Sequence, residues 1–175
     1  MTAPLPLRTR TISQILVLLL AAMGAWLGTG CDSGGAQQDF EEDAFLAPSG
    51  FTETDVDGLV ANTDQDDWRI APAYTGLLRV SPAFPNPAGA VTINIPVNVF
   101  QFNRIAGGLA LRTSDASGRL ITLDTIPEAA SPGGYVFAFS SLLLQPNALQ
   151  RVFVFDGANR LVSYGDIRVT RTGAR

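Results

Sequence analysis

The chain has 175 residues and contains neither histidine nor lysine; all twelve basic residues are arginine. Without histidine, the usual general base near neutral pH and the commonest metal ligand are both missing. A single cysteine, Cys31, rules out an internal disulfide. The longest apolar run, Ile15 to Leu27, has 13 residues, too few to cross a hydrocarbon layer of about 30 Å as a helix. There is no Gly-x-Ser-x-Gly elbow, and no imidazole to activate a serine. Nucleophilic catalysis is therefore poorly served, and the chain reads as non-enzymatic. The carboxylates of the C-terminal part, Asp115, Asp124, Glu128, Asp156 and Asp166, could act only as acid–base pairs, and Asp115 and Asp156 already read as turn residues.

Charge is divided unevenly. From Cys31 to Asp67 there are eleven acidic residues and no basic one, whereas Trp68 to Arg175 carries ten arginines against five acids. An acidic segment joined to a mildly basic one argues against a nucleic-acid partner, whose recognition needs a dominant basic surface. With its Gly, Gln and acidic content, residues 31–67 read as a flexible, disordered tether of about 37 residues, which flexible-chain scaling gives a reach of roughly 30–36 Å.

Arg8 and Arg10 stand before the apolar run, and Leu27-Gly28-Thr29-Gly30 places small residues ahead of Cys31. Charged, apolar and small-residue regions in that order make residues 1–30 an expected signal peptide. The segment resembles the bacterial lipobox, whose cysteine receives diacylglycerol and becomes the new N-terminus. Leu27 stands one step earlier than the leucine of that pattern, and Gly28 takes its place. The resemblance implies lipid attachment at Cys31 and a cell-envelope protein held to a membrane, with the outer membrane, at its periplasmic or surface face, as the expected location. The acidic cluster after the cysteine is similar to surface-export signals of Bacteroidetes-like bacteria, while Asp32 would in enterobacteria signal retention at the inner membrane.

Past Leu77 the texture changes to short β-rich runs between Gly, Pro, Asn and Asp. Val91, Ile93, Ile95, Val97 and Val99 alternate with polar residues and Pro96, the period of a strand with one buried face. Pro96, which lacks a donor, predicts an edge position or a bulge. Further strands are expected over 77–81, 108–114, 119–126, 135–140, 151–156 and 160–170, with a short helical turn within 141–150. About seven strands without a long helical period predict an all-β fold, a single Ig-like β-sandwich over 68–175. Trp68-Arg69-Ile70 is where order is expected to begin, with the indole as a lid on the core. Tyr135, Phe137, Phe139, Phe153 and Phe155 are expected in the core.

Asp115-Ala116-Ser117-Gly118-Arg119 and Asp156-Gly157-Ala158-Asn159-Arg160 match at an offset of 41 residues. Each reads as a hairpin turn in which aspartate caps the loop and Gly118 or Asn159 takes the left-handed conformation. Asp55, Asp57, Asp64 and Asp66 offer the oxygen ligands calcium prefers, though not at EF-hand spacing, so they are weak candidates; no cofactor is expected.

Pro82-Ala83-Phe84-Pro85-Asn86-Pro87-Ala88, the alternating strand after it and the Asp115 to Arg119 hairpin resemble the start of the Ig-like C-terminal sorting domains of type IX secretion cargo. That resemblance implies a two-sheet sandwich and, as an alternative to an interaction or structural module on an envelope lipoprotein, a sorting or assembly role.

Overall fold

The computed structural model describes residues 33–127 and 129–171. Cys31 and the expected signal peptide lie outside them. Among the described residues one α-helix, α1 (Ser33–Ala44), is followed by β1 (Glu53–Thr54), β2 (Val60–Asn62), β3 (Leu78–Val80), β4 (Thr92–Val99), β5 (Leu109–Ser114), β6 (Leu120–Ile126), β7 (Gly133–Ser140), β8 (Leu149–Asp156) and β9 (Leu161–Arg168). All strand pairs are antiparallel, in a β1–β2 hairpin, a sheet of order β3-β4-β7 and a sheet of order β6-β5-β8-β9.

The seven expected strands are the seven strands of the two larger sheets. Alternation sets their inner faces. Ile93, Ile95, Val97 and Phe137 of one sheet and Leu111, Val152 and Val154 of the other are all fully buried. Each such side chain contributes on the order of 1.5–3 kcal/mol on leaving water. Phe139, Phe153 and Phe155 are also buried, and Tyr135 packs partly buried against the core.

Two expectations are corrected. Pro96 lies not on an edge strand but on β4, the centre of its sheet, paired with Val136 of β7. Its carbonyl accepts from Ser81 N (2.8 Å), so its nitrogen faces the side where β3 has just ended at Val80. The missing donor falls at the last rung of the β3–β4 ladder, where Ser81 N to Pro96 O is the one bond made, so the proline costs the sheet little there.

The acidic segment is not a flexible tether, and the folded unit does not begin at Trp68. It begins at Gly34. Phe40 and Ala44 of α1 are buried, Phe40 lying 5.2 Å from the Tyr164 ring of β9, and Thr52, Thr54 and Asp67 are buried as well. Composition misjudged this stretch because a few anchoring side chains, not an average, decide whether it packs. Trp68 does cover the core, but as part of a strand-like run along the free edge of β9: Trp68 N donates to Tyr164 O and Ala71 N to Val162 O.

Helix α1 has no acidic residue in its first turn and carries Glu41, Glu42 and Asp43 in its last, which opposes the helix dipole. Gln37–Glu41 and Gln38–Glu42 side-chain bonds support its exposed face. Its C-terminus is capped from elsewhere in the chain by Arg151.

Candidate functional site

The polar residues that composition would place on the surface converge instead at the end of α1, against β8 and β9. Arg151 and Asp166 are cross-strand partners, so their side chains share a face. Arg151 Nε and Nη2 bind the two Asp166 oxygens at 2.7 Å each. Arg151 Nη1 donates to Asp43 O, Ala44 O and Leu46 O at 3.0, 3.3 and 3.1 Å, and Nη2 lies 3.6 Å from Asp66. The guanidinium also sits over the Tyr164 ring at 4.7 Å. Its donors are consumed, so it serves as an internal clamp and has little left for an external anion.

Next to it, Asp67 accepts from Thr52 N (2.6 Å) and Asp166 N (2.8 Å), tying the acidic segment to β9. Burial pushes the Asp67 carboxyl up to about 7, against the pull of those two N–H groups. Burial likewise raises Asp166, which the Arg151 bond only partly offsets. Asp66 is raised first by its hydrogen bond with the Asp64 carboxyl. Asn86, fully buried in the Phe-Pro-Asn-Pro segment, donates to Thr52 O and Asp166 O and accepts from Arg168 N, each at 2.9 Å. The turn that carries the family resemblance is thus a junction between the β1 region and β9.

The calcium candidates are not brought together. Asp55 caps the β1–β2 turn, accepting from Asp57 N and Leu59 N at 2.9 Å, while Asp64 and Asp66 pair beside Arg151. Among the described residues, no three acidic side chains gather as a metal site would require.

The acid–base candidates are likewise held in structural bonds. Asp115 accepts from Ser117 N, Ser117 Oγ and Arg119 N, the bond from the Ser117 side chain doing most to lower its pKa. Asp156, fully buried, accepts from Ala158 N and Arg160 N, from Tyr74 Oη at 2.5 Å and from the Arg160 guanidinium at 2.9 and 2.6 Å. Burial alone would raise it, but these bonds outweigh burial and hold it below the usual carboxylate range. Asp124 of β6 accepts from Ala138 N of β7 at 2.8 Å, bridging the edges of the two sheets. Glu128 lies outside the described residues.

Both expected aspartate turns are present, with Gly118 at φ +79° and Asn159 at φ +60°. A third stands at the β1–β2 connection. Asp55-Val56-Asp57-Gly58-Leu59 repeats the same bonds, with Gly58 at φ +83°. Its signal is in the sequence, an aspartate three residues before a glycine as at Asp115, at residues whose carboxylates also suggest a cation site.

Open recesses mark the surface of the described residues. A cleft of about 190 Å³ is lined by Asp43, Asp66, Arg69, Arg151 and Tyr164 with the chain at 46–49, and beside it a groove of about 340 Å³ runs between Phe45–Pro48 and Phe153. A broader recess of about 600 Å³ lies between 50–53 and 62–65. No protein-family model, curated protein or solved structure matches the chain.

Proposed function

We propose that the chain is a non-enzymatic cell-envelope lipoprotein, anchored by lipid on Cys31, whose sandwich is an interaction or structural module. The observation that carries this reading is the order of the N-terminal features: arginines, a 13-residue apolar run, small residues, cysteine, and then, two residues on, the start of α1. The engagement of Asp115, Asp124, Asp156 and Asp166 in turns, caps and ion pairs supports a non-catalytic role. Metabolic labelling with palmitate tests the anchor. Label lost in Cys31→Ala, with release of the protein from membranes, is the expected result, and unchanged labelling would refute it.

A sorting or assembly role is the second reading, favoured by the place of Asn86 within the Phe-Pro-Asn-Pro segment as the buried junction described above. Residues 34–175, the whole folded unit, fused behind an ordinary signal peptide and a reporter, would carry the reporter to the cell surface of the native host if this role holds. Periplasmic retention would exclude it.

A further inference from the structure

Among the described residues the two larger sheets have four outer strands, β3 and β7 in one and β6 and β9 in the other. An outer strand offers a row of N–H and C=O groups to any strand that meets it, so such edges are kept short, bulged, charged or covered. Three of the four follow that rule. β9 is covered by the run from Trp68 to Ala71, β3 is three residues long and carries exposed Arg79, and the register of β6 against β5 skips Leu123. β7 has none of these protections of its own. It runs for eight residues, Gly-Gly-Tyr-Val-Phe-Ala-Phe-Ser, without charge or proline, and keeps an unbroken register with β4.

Backbone groups of an antiparallel strand turn alternately to one neighbour and to the other. Ala138 N is turned away from β4, because it donates to the Asp124 carboxylate of β6 at 2.8 Å. By alternation Gly134, Val136 and Ser140 share that direction, and all four residues are exposed, Val136 by 51%. The other carboxylate oxygen of Asp124 accepts from Thr125 N at 2.8 Å, which fixes the side chain. Asp124 is the cross-strand partner of fully buried Leu111, so the two share a face and the carboxylate points inward, toward the sheet that holds β7. The skip at Leu123 sets this direction, since in an unbroken register Leu123 would stand opposite Leu111.

We infer that Asp124 guards the β7 edge, and that without its carboxylate two copies of the chain join antiparallel through β7 into one continuous sheet. The carboxylate stands where the carbonyl of an incoming strand would accept from Ala138 N. A strand that moved in beside it would trap an anion against a row of carbonyl oxygens, a costly burial of charge. The occupant this edge fits is a second β7. With Val136 of one copy opposite Ala138 of the other, and Gly134 opposite Ser140, the outward groups of both copies meet in pairs. Because the segment carries no charge, two copies meet there without like charges opposed.

The full chain, purified in a mild detergent, provides the test, with its mass read by sedimentation equilibrium in solvent that matches the detergent's density. The parent protein should sediment as one chain and Asp124→Ala as two, with the amides of Gly134, Val136 and Ala138 exchanging with deuterium more slowly in the variant. Adding Val136→Lys to Asp124→Ala should restore the mass of one chain, because it sets like charges side by side across the pair. A folded Asp124→Ala that sediments as one chain overturns the guard. Association that survives Val136→Lys places the contact elsewhere and overturns it as well, as does a parent protein already paired with its β7 amides protected. If the alanine variant does not fold, Asp124→Asn, which keeps the side chain's shape and lacks its charge, is judged by the same outcomes.

Discussion

Replacing Arg151 by methionine removes the Asp166 partner and three carbonyl caps at once. Because Asp166 would remain buried and unpaired, Arg151→Met should lower stability by about 3–5 kcal/mol, read as a lower urea midpoint. Adding Asp166→Leu should recover part of that loss; if the double variant is as unstable as the sum of the single ones, the pair is not acting as a unit. The carboxylates around it set a pH dependence. Asp67 is raised to about 7, and Asp166 and Asp66 are raised as well, so the native state holds protons that the unfolded chain releases. Their contribution is complete below the ordinary carboxylate range and is lost as pH rises through about 7. Thermal midpoints should therefore climb from pH 8 to pH 5, with a shallower slope in Asp67→Asn. A flat profile in the parent protein would contradict this. Below that window the trend reverses, because Asp156 and Asp115 are lowered and lose their native bonds on protonation.

Among the elements, strands were legible and the helix was not. Alternation over Val91–Val99 and the β-rich runs expected at 108–114, 135–140 and 151–156 announce strands, since a strand's pattern has a period of two and survives over few residues. Helix α1 buries only Phe40 and Ala44, a single i, i+4 pair within an otherwise polar, Gly-rich segment, so its mean character resembles a solvated linker. β1 and β2 have two and three residues, too short for any period to register. Of the polar cluster, the signal available was Arg151 and Asp166 standing inside otherwise apolar strands; their register could not be read without the pairing. The turns give a sharper test of local rules. No atom would contact a Cβ at Gly118, so Gly118→Ala should cost only the left-handed penalty, about 1–2 kcal/mol, whereas Gly118→Asn, the residue found at the equivalent position 159, should cost less. Equal losses in denaturant melts would show that conformation is not what glycine supplies there. At Gly165 the limit is space: an added Cβ would lie 2.3 Å from the Trp68 indole, so alanine there must displace the lid.

For the molecule as a whole, the acidic segment from Gly34 to Asp67 and the basic segment that follows it are parts of one folded body. Asp67 on Asp166, Asn86 on Thr52, Arg151 on the end of α1, and the Arg69–Asp43 and Arg151–Asp66 ion pairs cross between them. A chain reduced to residues 68–175 should therefore lose cooperative unfolding, because it leaves Arg151 without its helix and Tyr164 without Phe40. A sharp two-state transition in that fragment would make the N-terminal third an accessory. The charge division, visible in the sequence, suggested two regions with separate lives; pairing across the boundary shows why opposite charges in one chain more readily join than separate.

The Arg151 clamp has a consequence in time. A ribosome releases the helix first and Arg151 more than a hundred residues later, and β9, which receives Trp68, Ala71 and Asn86, comes later still. The first third of the protein must wait, uncapped, for the last to be made. Such distant closures make folding slow, and a nascent chain that stops short of β9 leaves both its beginning and its end unfinished, open to proteolysis as a whole.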